Sequence, residues 1–565
     1  LFNTMEGELV MITKIVVLLK NCVTSKNVSV TAVLLGSVFL VAYHWGLFAN
    51  VLAQEIKGKE PIAIASTTPI PKSLLKWEKP DLTIILTAQQ HGYLLPCGCS
   101  RPQVGGLERR YNFIQALKTN GWNLTALDLG DLPQKQGPVS LPNEQGLIKY
   151  RYAMNAQKKI GYSVVGFGEY ETAMPLFNAL AEFALNEPTP RVVAANLLDR
   201  EKEFPDQVSA WQKVDIKGSD IKLGVTGVVS PNVAEKIKDP RVKFGPSKVA
   251  LDSVLKEMTQ ENIQLKVLLY QGLLNRSPKG EPATEALKAA QSYPEFQILM
   301  CLSEEDEPSS NPITINHDNK KQSLIIRMGT KGKYVGVLGV YKTGDPIQPF
   351  KFRYTIEQMS EDYMTTESAK KNHPVMELME SYAKELKNEN FLSRFGQARH
   401  SVQVSAPESN PVYVGSEKCK KCHEGAYDVW KKSTHSHAYQ TLVDAKEPSL
   451  RHYDPECIVC HTVGFGYQSG FTTFEKTPNL TNVGCESCHG PSSEHVKKPN
   501  DETWHKLINP WKASPGENPA AKESRLGKID QSCQKCHDID NDVTWTNKGF
   551  ERKWPKVAHP SPASE

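Results

Sequence analysis

The pentapeptide Cys-x-x-Cys-His occurs four times in the last third of this 565-residue chain. CKKCH spans Cys419, Cys422 and His423; CIVCH spans Cys457, Cys460 and His461. CESCH spans Cys485, Cys488 and His489; CQKCH spans Cys533, Cys536 and His537. Eight of the 12 cysteines fall in these motifs. Two thiols on one helical turn can each bond a vinyl group at the edge of a haem, and the next residue then presents an imidazole to the iron. Zinc also accepts Cys-x-x-Cys pairs, so a single copy would be ambiguous. A redox dithiol needs no histidine behind it. Four copies with histidine in the same place favour haem, and predict four covalently attached haem c groups.

The N-terminal third carries a different signal. No charged residue occurs from Val28 to Ala53, a run long enough to cross ~30 Å of hydrocarbon as a helix. Lys14, Lys20 and Lys26 precede it, and Glu55 and Glu60 follow among lysines. That asymmetry predicts a cytoplasmic segment 1–27, a single-pass anchor 28–53 and export of the rest to the periplasmic side. The alternative is a cleaved signal peptide ending at Val51-Leu52-Ala53. Export agrees with haem c, which is attached outside the cytoplasm. The net charge of +4 is small for this length and points to no nucleic-acid partner. Residues 54–80, rich in proline, lysine and small side chains, read as a linker.

Between 81 and 355 strand and helix signals alternate, which predicts an α/β domain with helices covering sheet faces. Strands are expected at 82–87, 124–130, 162–168, 191–196, 221–229, 265–270, 296–300, 323–329 and 333–341. Leu107, Tyr111, Ile114 and Leu117 share a helix face, and 145–160 reads as a second helix. Residues 356–410 read as a helical connector, with a helix at 374–392 and a loop at 401–411. From 411 to 565 strand signals fade. The expectation there is a mostly helical multihaem domain with little regular structure.

The stretches VWKKSTHSHAYQTL, CIVCHTVGFGYQSGF, VGCESCHGPSSEH and KVAHP resemble the tetrahaem cytochrome c-554 family over residues 412–560. The resemblance implies distal histidines at His435, His495 and His559, hence one iron five-coordinate or differently capped. His437 competes with His435 for the first of these roles. His452 and His505 are expected to make surface or haem-propionate contacts. The lysines at 418, 420, 421, 431 and 432 form a basic run, either simply solvated or docking an acidic redox partner.

Over about 81–345, TAQQHGYLLPCGC, GGLERRYNFI, LDLGDL, VGFGEYE and QILMCLSEED resemble 5′-nucleotidase-type metallophosphoesterases. That family binds two metals that activate water and clamp a phosphate. Here the ligand positions map to Gln89, His91, Asp131, Glu169, Tyr170, a site near Gln271, and Cys301-Leu302-Ser303-Glu304. Too few ligands survive, so the fold is expected to persist without the hydrolysis. Cys97, Cys99 and Cys301 allow a disulfide with a free thiol, or a small thiolate metal site.

These readings together predict a membrane-anchored, exported electron carrier working beside redox partners, themselves subunits of a membrane-associated complex. No catalytic residue is singled out. The rival readings are a haem enzyme acting on a small nitrogen compound at one open iron, and an active nucleotidase.

Overall fold

The computed structural model describes residues 70–96, 101–137, 139, 141–174, 180, 189–274, 285–318 and 320–559. The expected anchor at 28–53, most of the 54–80 linker, and Cys22, Cys97 and Cys99 lie outside the described residues. Among the described residues no helix is long and apolar enough to cross a membrane. Residues 66–565 form one compact unit.

Among the described residues thirteen strands build two sheets. They are β1 (Leu82–Thr87), β2 (Leu124–Asp128), β3 (Tyr162–Gly166), β4 (Arg191–Val193), β5 (Val208–Ser209), β6 (Trp211–Val214) and β7 (Leu223–Val229). Then follow β8 (Leu265–Leu273), β9 (Ile298–Leu302), β10 (Ile313–Asn316), β11 (Gln322–Arg327), β12 (Tyr334–Lys342) and β13 (Phe350–Gln358). One sheet runs β13-β12-β1-β2-β3-β4-β5 and the other β10-β11-β9-β8-β7-β6. Their inner faces share one core, with Ile84 and Leu86 of β1 clustered with Val267 and Leu269 of β8.

Helices cover the outer faces. Over the first sheet lie α1 (Leu107–Thr119) and α2 (Gly146–Ile160); over the second, α3 (Ser247–Gln260) and α4 (Glu285–Ser292). The result is a four-layer α/β/β/α sandwich. Ile84 packs inward between the sheets and Ile85 outward beneath helices. A strand buried on both faces reads as a continuous apolar run, which is why LTIILT shows no alternation.

Beyond the elements that the sequence reading does not name, three features differ from it. β13 runs past residue 355 to Gln358; it is an edge strand whose charged residues mask the strand pattern. The helix expected in the connector, α5 (Pro374–Asn388), belongs to the outer helical layer. Its Val375, Met379, Tyr382 and Leu386 fall at helical spacing and join the core of α1 and α2. The expected loop at 401–411 opens with a short helix, Ser401–Ser405, capped by His400.

Beyond residue 411 the elements are short helices and turns: α6 (Glu424–Lys432), α7 (Pro455–His461), α8 (Cys485–His489) and α9 (Pro519–Cys533) among them. The apolar cluster of this half is small, built around Ile458, Val463, Phe465, Phe471 and Leu480.

Candidate haem-binding site and the α/β cleft

Each Cys-x-x-Cys-His motif lies in or beside a short helix, which fixes its three side chains on adjacent turns. The first precedes α6, the second ends α7, the third forms α8 and the fourth begins at the last residue of α9. Three of the four motif histidines face a second histidine. His423 and His495 have ring centroids 6.0 Å apart, His537 and His435 6.1 Å, and His489 and His559 6.1 Å. Two imidazole nitrogens each about 2 Å from one metal ion set their ring centroids about 6 Å apart. The spacing therefore fits a metal ion between the rings of each pair. Among the described residues His461 has no histidine ring against it; its Nδ1 lies 2.6 Å from Ala438 O.

The segments carrying the second histidines are held by local chemistry. His435 sits in a 3₁₀ turn, Thr434–His437, pinned by Ser436 Oγ donating to Lys431 O and Ser433 O. Trp430 Nε1 donates to Val483 O, and Val483 N donates to His435 O, so this turn is tied to the stretch of chain entering α8. His437 is exposed. His495 lies on Ser493–Lys497, anchored by Val412 N donating to Ser493 Oγ, and its Nδ1 is buried without a partner. His505 presents a ring edge to His495 at 5.1 Å and bonds Pro499 O. His452 packs on Tyr439 and Tyr453.

Burial lowers the pKa of His435, His461, His489 and His495. The neutral imidazole so favoured is the form with a lone pair for a metal. Two more motif histidines have a defined partner on Nδ1, as His461 does. His489 Nδ1 lies 2.8 Å from Ile508 O, and His537 Nδ1 lies 2.9 Å from Asp542 Oδ2. Thiols of different motifs also meet: Cys419 with Cys485, and Cys460 with Cys536, lie within hydrogen-bonding reach.

One residue inside a motif has a role that spacing alone could not reveal. Glu486, 2% exposed, accepts from the backbone N–H of Val414, Gly415 and Ser492 at 2.7–2.9 Å. It fastens the third motif to the chain before the first.

The α/β half brings most of the mapped cleft positions together. His91 stacks on Tyr170 at 4.4 Å, and Tyr170 N donates to Asp131 Oδ1. Gln89 Oε1 accepts from Ser303 N, and Gln271 Nε2 donates to Leu129 O. The amides thus bond to backbone. Gln89, His91 and Asp131 keep φ of 50°, 50° and 55°, a left-handed backbone that costs energy for residues other than glycine. Burial, then Lys331, lowers His91 to about 4, and its Nε2 is buried without a partner. Burial, then repulsion from Glu169 and Asp128, raises Asp131, and burial followed by repulsion from Asp131 raises Glu171. Among the described residues no group of three or more histidine, cysteine or acidic side chains is arranged to hold a metal ion.

Cys301 is a correction. The mapping expected it beside the cleft, but it packs with Leu251, Val254 and Leu268 under the helices. Alternation along β9 sends Met300 and Leu302 to the inter-sheet core and Cys301 to the opposite face. Burial pushes its thiol up to about 12.

The cleft touches the motif-bearing half. Asp540, three residues after His537, accepts from Tyr93 Oη at 3.0 Å and Lys333 Nζ at 3.2 Å, and pairs with Lys331. A second seam joins Lys149 to Glu456 at 2.6 Å and Gln145 to Asp454 at 2.9 Å.

Residues 418–490 match the family model described as cytochrome c554 and c-prime, so this region is similar to that family. The C-terminal part is 30% identical over 148 residues to cytochrome c-554 of Nitrosomonas europaea, covering 24% of this chain and 60% of that protein. The α/β part is 24% identical over 261 residues to a 5′-nucleotidase of Diplobatis ommata, covering 42% of this chain and 41% of that protein. Among solved structures, the 5′-nucleotidase precursor of Thermus thermophilus superposes with a TM-score of 0.42 at 19% identity, over 54% of this chain and 59% of that one. The calcineurin-like phosphoesterase YfkN of Bacillus subtilis gives 0.40 at 14% identity, over 54% and 97%.

Proposed function

We propose that the chain is an exported, membrane-anchored tetrahaem cytochrome that relays single electrons, its α/β half serving as scaffold and docking surface. The observation that supports it is the set of three histidine pairs at 6.0–6.1 Å, each joining a motif histidine to one outside the motifs. In this reading His423 and His495, His537 and His435, and His489 and His559 would each hold one iron as a pair, and His461 would hold one alone. Haem c supplies a reversible one-electron couple when bound. The protein holds the imidazoles neutral, fixes their rings, and brings motifs close enough for electrons to pass. The thiol contacts Cys419–Cys485 and Cys460–Cys536 support close approach of the first and third sites and of the second and fourth.

A reduced spectrum of the purified protein with and without carbon monoxide tests this. About a quarter of the haem signal is expected to shift, from the site at His461. No shift at all would mean that a fourth ligand caps His461; a shift of half or more would break the proposed pairs. Anchoring at 28–53 is tested by membrane fractionation before and after removal of that segment. The exposed lysines at 418, 420, 421, 431 and 432 present a surface for an acidic redox partner within a membrane-associated complex.

The second reading is small-ligand chemistry at His461, favoured by its lack of a facing ring. Arg451 Nε nearby is buried without a partner, a donor available to a bound molecule. Turnover of nitric oxide, nitrite or hydroxylamine would establish it. Hydrolysis by the α/β half is proposed lost, because Gln89 and Gln271 direct their amides to backbone groups. The expected outcome is no release of phosphate from a nucleoside monophosphate with added divalent metal; release overturns that part.

A further inference from the structure

Three motif histidines have a defined partner on Nδ1, and the partners are chemically unequal. His461 and His489 face the backbone carbonyls of Ala438 and Ile508, at 2.6 and 2.8 Å. His537 faces the carboxylate of Asp542 at 2.9 Å. A carbonyl is a neutral acceptor. A carboxylate draws the ring proton toward itself, gives the imidazole imidazolate character and makes it a stronger donor to a metal.

The geometry around Asp542 is built rather than incidental. Asp542 is 2% exposed. Its Oδ1 accepts from Thr544 Oγ1 at 2.8 Å, its Oδ2 also pairs with Lys553, and its backbone N donates to Asp538 O at 2.8 Å. The His537 ring is held from its face as well, stacked on Trp545 at 4.7 Å and 19°. Trp545 is fixed in turn by Nε1 donating to Asp530 Oδ1 at 2.9 Å. Ring plane and bonded partner are therefore both specified. The cation paired with this carboxylate, Lys553, lies partly exposed at the end of Gly549–Lys553, where water weakens its charge.

We propose that Asp542 tunes the haem at the fourth motif, making it harder to reduce than those at the second and third. A more basic ligand favours the ferric iron, and adding an electron beside a buried anion is opposed by Coulomb repulsion. Electrons entering the set therefore fill the second and third sites before this one. The inference rests on the haem reading above and adds an order of filling to it.

A pyridine haemochrome count on the full chain comes first and tests haem attachment alone. A count of four per chain leaves the next step to judge this proposal; a lower count counts against the haem reading instead. Redox titration of the wild type, fitted as one-electron components, then gives the four steps, and the step of the fourth motif is the one that moves in Asp542→Asn. In Asp542→Asn that step is expected to rise. At the wild-type midpoint the ratio of reduced to oxidised haem changes about tenfold, or about 59 mV for one electron. In Lys553→Gln it is expected to fall, because the carboxylate then bears on His537 without that cation. One low-spin ferric EPR signal should change in Asp542→Asn along with the potential. Four unmoved steps in Asp542→Asn overturn the proposal. So does a rise in both variants, which would signal general loosening. A shifted potential with an unchanged EPR signal would assign the effect to charge at a distance and overturn the role of the bond.

Discussion

At the scale of single residues, the motifs divide into what covalent chemistry dictates and what the surroundings dictate. The cysteines and histidines were legible because their spacing is fixed and repeats four times. Glu486 was not, because its bonds go to residues 414, 415 and 492 and no local pattern encodes them. Glu486→Ala leaves three backbone N–H groups without acceptors, each worth ~1–3 kcal/mol when buried. The expected loss is at least about 3 kcal/mol, read from urea unfolding, with faster amide exchange at Val414, Gly415 and Ser492. Glu486→Gln, which keeps one acceptor oxygen, should lose less; equal losses would show that the side chain merely fills space. The choice between His435 and His437 was likewise open in the sequence. They sit two residues apart in similar surroundings, and only the 3₁₀ turn separates them, facing one toward His537 and the other to water.

At the scale of elements, strands buried on both faces and the helices α1, α2 and α5 are legible in the sequence, while α3, α9 and the short or edge elements are not. β5, β6 and β10 span two to four residues, too few for a period to emerge. The α5 periodicity was clear, but its partners α1 and α2 lie more than 200 residues upstream, so a core helix read as a connector. Its start depends on one titratable cap. His373, 2% exposed, accepts from Val375 N and Met376 N through Nδ1, and its Nε2 lies 3.0 Å from Asn112 Oδ1. Burial lowers its pKa, against the pull of Glu108. The unfolded chain takes up a proton near pH ~6.5 that the folded chain refuses. This contribution to stability is present above that pH and is lost as pH falls through it toward the lowered folded value. His373→Asn keeps a capping acceptor but does not titrate. Its urea midpoint, followed by far-UV circular dichroism, should fall less than the wild type's between pH 7 and pH 5. Equal slopes would remove His373 from the account.

At the scale of the molecule, two seams tie the sandwich to the motif-bearing half, and both are polar. Such contacts stabilise little when exposed, but a buried carboxylate stripped of its cations is costly. Lys331→Ala with Lys333→Ala should therefore raise amide exchange across residues 537–545 while β1, β2 and β3 stay protected; unchanged exchange would mean that the loop stands without the sandwich. No sequence signal linked Asp540 to Tyr93 or to the two lysines, since a contact between distant charged residues leaves no local trace. The seam also bears on the order in which a ribosome makes the parts. Tyr93, Lys331 and Lys333 are synthesised long before Asp540, and the apolar cores of the sandwich are complete by Phe391. The receiving pocket is finished while its guest is still being translated, so the fourth motif, last to be made, arrives at a mould already set.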